Sequence, residues 1–439
     1  MRFFCIQQMD ITNLYRHFRE CKGISTDSRK VLQGEMFFGL RGKRFNGNLY
    51  ASTALENGAS LAVVDDPACA VDGKYVLVGN SLVALQELAA FHRQHFNVPF
   101  LAITGSNGKT TTRELIRKVL STRYFVHSNT GNLNNHIGVP LTILKAPPDI
   151  EMAVIEMGAN HKGEIARLCE ITKPDYGLIT NVGRAHLEGF GSFEGVKSGK
   201  GELYAHLGNT GGIVFCNGRN KDLNRMLAGF RGGIRYYGVK DSLCYGHLIE
   251  DDPLLRMRID LPGKVTMDVH SFLSGAYNFE NILAAVAVGA HFGISAENIK
   301  EAIESHRPLD NRSQRIETRD NVLILDAYNA NPTSMRAALD SFGRIRHPAK
   351  VIIAGEMHEL GSDSSREHKK LVDRLRIEDA SEVFLVGGKF QGIGLPGRFR
   401  IFSTSEELIG WLKENPLKER LILLKGSRAV GLERITGSL

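Results

Sequence analysis

Residues 100–112 leave this chain few ways to fold: the apolar run from Phe100 to Ile103 passes into Thr104-Gly105-Ser106-Asn107-Gly108-Lys109-Thr110-Thr111-Thr112. The first part has strand composition, and Leu115, Ile116, Val119 and Leu120 then recur with helical spacing. A strand that enters a helix through a Gly-rich turn makes a phosphate cradle. Gly105 and Gly108 let backbone N–H groups approach an anion at the positive end of the following helix. Lys109 would add a point charge near the β- and γ-phosphates, and the Thr110 hydroxyl would hold Mg²⁺. A full Walker A loop would have its first Gly at the position of Ile103, so this is a shortened form. A turn that merely joined strand to helix would not need Gly, Gly, Lys and a run of Thr together.

A chain of 439 residues exceeds one ordinary domain, and length suggests about three. Its 42% hydrophobic and 23% charged residues suit a globular protein with ample core. The net charge of +7 is spread without a basic cluster or an aromatic-interleaved stripe. Anionic small molecules are therefore expected as partners, and nucleic acid is not. The cysteines (Cys5, Cys21, Cys69, Cys169, Cys216, Cys244) form no CxxC pair and read as reduced thiols in a cytoplasm. No ~18-residue apolar run occurs and the start carries no sustained apolar h-region, so neither a membrane span nor export is expected.

Along the chain, residues 1–96 carry strand-like runs at 36–40, 61–64 and 75–78, with helical segments near 50–57 and 82–96. The hydroxyls, Arg and glycines of 25–29 and 34–42 either bind a phosphorylated sugar or serve as turns and caps, the commoner use. Residues 97–309 follow a βαβ rhythm: the strand at 151–155 leads to Glu156, a helix over 162–170 follows, and the strand at 176–180 leads toward His186. Residues 310–439 alternate strands at 322–325, 351–354, 383–386 and 421–424 with helices at 334–342, 365–375 and 406–412. The expected fold class is α/β in three domains: a small N-terminal α/β domain, a central parallel P-loop domain and a Rossmann-like C-terminal domain.

Ligands of such sheets collect at the carboxyl ends of strands, where Thr104 to Thr111, Glu156 and His186 are expected. Glu156 either holds Mg²⁺ or caps a helix. His186, read as ending a strand, is a metal contact or a structural residue. Lys197 and Lys200 touch phosphate or face water. Asn278 is an N-cap, or joins Asn281 in an amide pair on one helix face that matches the edge of adenine.

With the cradle, Glu156-Met157-Gly158-Ala159-Asn160, residues 185–191 from Ala185 through Gly191, Asn278 to Asn281 and Asp326 to Pro332 in hand, the chain strongly resembles the Mur ligase family over essentially its whole length. These are ATP-dependent amide-bond synthetases of bacterial wall precursors. The run from Thr130 to Pro140, the Gly158-Ala159-Asn160 segment and Asp326 to Pro332 resemble those of the members that add D-alanyl-D-alanine to UDP-N-acetylmuramoyl-tripeptide. The Asp-Asn-Pro-Arg tetrapeptide of the diaminopimelate-adding relative is absent. The alternative is another amino-acid ligase of the superfamily. A P-loop switch or motor would give no reason for Asn278, Asn281 and Asp326.

The resemblance implies roles. Two Mg²⁺ ions are expected, one held by Thr110 and Glu156, the other by Glu156, His186 and carbamylated Lys200. Lys109, Glu156, His186 and Lys200 form the catalytic set. ATP is expected on Gly105, Ser106, Asn107, Gly108, Lys109, Thr110 and Thr111, its adenine on Asn278 and Asn281, its ribose on Asp326 and its phosphates also on Arg312. Ser28, Arg41, Thr130, Asn132 and Asn134 are expected at the UDP-linked substrate, and Asn329, Asn331 and Lys425 at the dipeptide. Diaminopimelate and lysine both stay open at the third peptide position. A monomer is expected. ATP groups fall in the central block and Arg312 and Asp326 in the last, so the constellation is expected to assemble on domain closure.

Overall fold

The computed structural model describes residues 10–308, 311–395 and 397–439; Cys5 and the expected boundary at 309–310 lie outside them. The three expected α/β blocks are present, each built on its own sheet. Contacts gather the chain into two compact units, Met1–Ile103 with Tyr124–Gly158 and Gly163–Gly177, and Thr104–Arg123 with Ala159–Lys162 and Leu178–Leu439.

The first unit contains a four-stranded parallel sheet in the order Gly23–Ser25, Glu35–Phe38, Leu61–Val64, Tyr75–Leu77. Phe37, Ala62 and Val64 bury one face of it against Ala51 and Ala54 of the Ala51–Glu56 helix. The Ser81–Arg93 helix starts where the Asn80 side chain accepts from Val83 N. It ends in a buried Arg93 whose guanidinium donates to Thr172 O and Phe96 O at 2.8 Å and lies 3.7 Å over the Phe100 ring. The same Arg93 meets Asp175 at 3.2 Å, and Asp175 accepts from Phe100 N at 2.9 Å, which pins the entry of the cradle strand.

That strand, Phe100–Thr104, lies inside a six-stranded sheet ordered Gly233–Tyr237, Ile213–Asn217, Tyr176–Ile179, Phe100–Thr104, Met152–Glu156, Val126–Ser128. Every residue of Phe100–Thr104 and Met152–Glu156 is buried, as a parallel sheet covered on both faces requires.

In the second unit, the Lys109–Leu120 helix packs on the Ala-rich Asn278–His291 helix. A three-stranded antiparallel sheet, Tyr245–Glu250, Arg256–Leu261 and Val265–His270, precedes it and was not expected. The C-terminal block is a six-stranded sheet in the order Gln314–Glu317, Asn321–Leu325, Arg420–Lys425, Lys350–Gly355, Glu382–Val386, Phe399–Phe402, antiparallel only at its first edge strand. Leu323, Ile353, Phe384, Ile422 and Leu424 lie in its core. Asp326, Glu356 and Gly426 follow the carboxyl ends of its three middle strands.

Candidate active site

The cradle turn takes the shape its glycines allow. Gly105 has φ +142° and Gly108 φ +77°, and Gly108 forms the N-terminal boundary of the Lys109–Leu120 helix. A Cβ on Gly105 would stand 2.0 Å from Thr180 Oγ1, and one on Gly108 2.5 Å from Asn281 Oδ1. The turn is held from beneath by the end of the next strand. Thr180 Oγ1 donates to Asn107 O at 2.6 Å, Asn107 N donates to Asn181 Oδ1 at 3.1 Å, and Ser106 N donates to Asn181 O at 3.0 Å. Gly183 N closes the set on Ser106 Oγ at 2.9 Å. Thr180 and Asn181 thus shape the loop without belonging to its motif; their signal in the sequence was only a polar pair at a strand end.

Lys109 folds over this turn and donates to Gly105 O at 2.8 Å. Thr110 is buried and Thr111 half-buried at the first turn of the helix. Thr112 Oγ1 donates to Asn281 Oδ1 at 3.1 Å, and Asn281 Nδ2 donates to Asn278 Oδ1 at 2.9 Å. The two amides therefore share one helix face, as their spacing predicts; they bond to each other, and Asn281 also bonds to the cradle helix.

Glu156 ends its strand, paired in register with Ile103, the residue before the turn begins. It is 1% exposed and doubly held. Its backbone N donates to Asn129 Oδ1 at 2.6 Å, and its Oε1 accepts from Asn134 Nδ2 at 2.7 Å. Asn134, expected at the substrate, also orients Glu156 through its amide. Asn129, buried and bonded also to Leu133 O at 2.6 Å, was missed. It opens the Asn-rich run 129–135, which was the available signal.

His186 requires a correction. It does not end a strand: the strand stops at Ile179, and His186 precedes the short Leu187–Phe190 helix with φ +51°. Its Nδ1 lies 2.6 Å from Glu359 Oε2, within reach of that carboxylate. The imidazole at this distance is the main cause that holds the Glu359 carboxyl below the usual carboxylate range.

The two lysines separate clearly. Lys197 reaches Asp222 at 2.9 Å and Glu194 at 3.1 Å, and those carboxylates raise its pKa. Lys200 is 1% exposed, donates to Ala159 O at 3.1 Å and faces the Phe190 ring.

In the C-terminal block, Asp326 accepts from Lys425 Nζ at 2.7 Å and from the Tyr277 hydroxyl at 3.4 Å. Lys425 also donates to Asn329 O at 3.3 Å, so it braces the 326–329 turn. Arg312 stacks 3.4 Å over the Tyr328 ring. Asn331 caps the Pro332–Arg344 helix in a reciprocal capping box with Ser334, and its spare Nδ2 donates to Asn107 Oδ1 at 2.8 Å. Cradle and last block are thus joined at Asn107–Asn331 and His186–Glu359, within the second unit.

Of the remaining expected contacts, Ser28 is buried, Arg41 reaches Asp65 at 2.7 Å, and Thr130 and Asn132 are exposed. Among the described residues no cluster of three or more His, Cys, Asp or Glu forms a closed metal cage. A Thr hydroxyl and a carboxylate are hard oxygen donors, and so few of them suit Mg²⁺, which keeps waters and takes phosphate oxygens for its other positions.

A parallel sheet, a Gly-Lys-Thr turn entering a helix and a buried carboxylate on the neighbouring strand define a P-loop nucleotide-binding α/β protein. Three family models match in succession: the Mur ligase family catalytic domain over residues 20–93, the Mur ligase middle domain over 103–289 and the Mur ligase glutamate ligase domain over 311–428. The chain belongs to the Mur ligase family. It is 34% identical to the UDP-N-acetylmuramoyl-tripeptide--D-alanyl-D-alanine ligase of Bacillus subtilis, covering 95% of this chain and 93% of that one. It is 33% identical to the ligase of the same name from Escherichia coli, with the same shares covered. Among solved structures, MurF from Acinetobacter baumannii superposes with a TM-score of 0.86 at 28% identity over 98% of both chains. MurF from Thermotoga maritima in complex with ADP gives 0.84 at 26% identity over 96% of this chain and 97% of that one.

Proposed function

We propose that this chain joins D-alanyl-D-alanine to the terminal carboxylate of UDP-N-acetylmuramoyl-tripeptide at the expense of ATP, in peptidoglycan precursor synthesis. The observation that carries the reading is the preformed cradle, with Gly105 and Gly108 in backbone conformations that open their N–H groups to an anion and Lys109 folded across the turn. The relatives' names, over nearly the full chain, supply the acceptor and the amine.

A carboxylate oxygen attacks the γ-phosphorus, the bond to the β-phosphate oxygen breaks, and ADP leaves. The dipeptide amine then attacks the acyl phosphate, loses a proton and expels phosphate as the amide forms. Two negatively charged reactants must meet in the first step, so Lys109, the turn N–H groups and Arg312 hold the triphosphate while the carboxylate approaches. Bound Mg²⁺ would neutralise charge on the transferring phosphoryl group. Thr110 and Glu156 would hold one ion, and Glu156, His186 and carbamylated Lys200 the other. The burial of Lys200 favours it over Lys197, because carbamylation converts a buried cation into an anion suited to a metal. Asn278, Asn281 and Asp326 are assigned to adenine and ribose. Ser28, Arg41, Thr130, Asn132 and Asn134 are assigned to the UDP-linked substrate, and Asn329, Asn331 and Lys425 to the dipeptide. The domain limits 1–96, 97–309 and 310–439 and a monomer working in the cytoplasm complete the reading.

The test is ATP-dependent coupling of purified protein with UDP-N-acetylmuramoyl-tripeptide and D-alanyl-D-alanine, read by product mass. Lys109→Ala is expected to abolish coupling while leaving the melting temperature near wild type. Equal ATP cleavage with neither acceptor nor amine present overturns the proposal. Coupling of a single amino acid in place of the dipeptide selects another ligase of the family.

A further inference from the structure

Glu359 lies outside the sequence motifs of the site, yet its carboxylate oxygen is 2.6 Å from His186 Nδ1. Two left-handed residues face each other in this contact: His186 at φ +51° and Glu359 at φ +59°. Non-glycine residues adopt that backbone at a cost and keep it only where their surroundings fix it. The surroundings here are specific. Glu188 N donates to Glu359 O at 3.2 Å, His358 N donates to Ser427 Oγ at 3.0 Å, and Met357 N donates to the buried His368 Nε2 at 3.0 Å. Gly361, at φ +54°, passes so close that a Cβ there would lie 3.3 Å from Glu188 Cα. The 357–361 turn is thus seated against the start of the Leu187–Phe190 helix, and it delivers one carboxylate to one ring nitrogen.

We propose that Glu359 is a positioning residue for His186: it fixes the imidazole through Nδ1 and leaves Nε2 as the nitrogen presented to a divalent cation. A carboxylate on the far nitrogen of a ligating histidine sets its tautomer and orientation and raises its basicity. The inference rests on the reading of His186 as a cation ligand. It adds that this ligand, which belongs to the central block, is set by a residue of the last block, so ion affinity depends on the 357–361 turn.

The experiment measures Mn²⁺ binding by electron paramagnetic resonance on the full chain with a non-hydrolysable ATP analogue, for wild type, His186→Ala, Glu359→Ala and the near-isosteric Glu359→Gln. Imidazole ¹⁵N shifts of His186 and melting curves are recorded on the same samples. Expected are a weakening of Mn²⁺ binding by about 10–100-fold in His186→Ala and Glu359→Ala, a smaller loss in Glu359→Gln, and a change of the His186 Nδ1 resonance in both Glu359 variants. Steady-state rates should show kcat falling with KM for the UDP-linked acceptor and the dipeptide held. Unchanged Mn²⁺ affinity in His186→Ala overturns the ligand reading. Weakened binding in His186→Ala with wild-type affinity and wild-type His186 resonances in both Glu359 variants overturns the positioning role alone. If Glu359→Ala does not fold, the Glu359→Gln result decides in the same way.

Discussion

Gly105→Ala is the sharpest single test of the cradle, because the structure supplies the terms. The backbone at φ +142° is disfavoured for an L side chain, at a cost of roughly 1–3 kcal/mol. The new Cβ would stand 2.0 Å from Thr180 Oγ1, so one of them must move, and overpacking of this kind costs about 1–3 kcal/mol. Displacing Thr180 Oγ1 also breaks its 2.6 Å bond to Asn107 O, a loss of about 1 kcal/mol. The sum, roughly 3–7 kcal/mol if nothing relaxes, exceeds what this buried turn can absorb without changing shape. The turn is expected to shift, and each 1.4 kcal/mol of lost preorganisation appears as about a tenfold weaker hold on ATP. A loss of about 100-fold or more is expected by titration with a fluorescent ATP analogue, together with a lowered melting temperature. Thr180→Ala removes the clashing oxygen, so the double variant should recover the packing share and keep the backbone share, a measurable non-additivity. Wild-type affinity and wild-type melting in Gly105→Ala would refute the reasoning, as would strict additivity in the double variant.

Asn129→Ala would leave Glu156 N and Leu133 O without the side chain that now pairs them, in a buried place. A destabilisation of about 2–4 kcal/mol in urea unfolding is expected, and a variant as stable as wild type would show that water replaces the amide. Burial pushes His92 down to about 4, from an ordinary value of 6.5. Its pKa is lower folded than unfolded, so the unfolded chain takes up the proton first; stability is full above 6.5 and falls as pH drops from there toward 4. The difference in unfolding free energy between wild type and His92→Gln should therefore shrink over that window. A difference independent of pH would contradict it.

The parts of the site that were legible in the sequence are those whose chemistry is local. Gly105, Gly108, Lys109 and Thr110 lie within six residues, and Glu156 follows an apolar strand, so motif and periodicity suffice. Thr180, Asn129 and Glu359 act on residues 73, 27 and 173 positions away, and the polar pair at a strand end or the Asn-rich run around the first two does not say which distant group they hold. His186 was placed at a strand end because the Asn181 to Ala185 segment between strand and histidine carries no breaker stronger than Gly183. Pairing explains why Asn278 and Asn281 were only half read: their spacing gave the shared face, but only the fold shows Thr112 beneath them. The antiparallel sheet did leave a signal, Met257 and Ile259 alternating with Arg256, Arg258 and Asp260, but the parallel rhythm on both sides of it dominated the reading.

Asn281 occupies the space that a side chain at position 108 would need, with its amide oxygen 2.5 Å from where that Cβ would sit. The two positions are therefore one steric unit shared by distant parts of the gene. A side chain at position 108 would have to displace the Asn281 amide and also bear the strain of φ +77°, so variation at either position is expected to be read at the other.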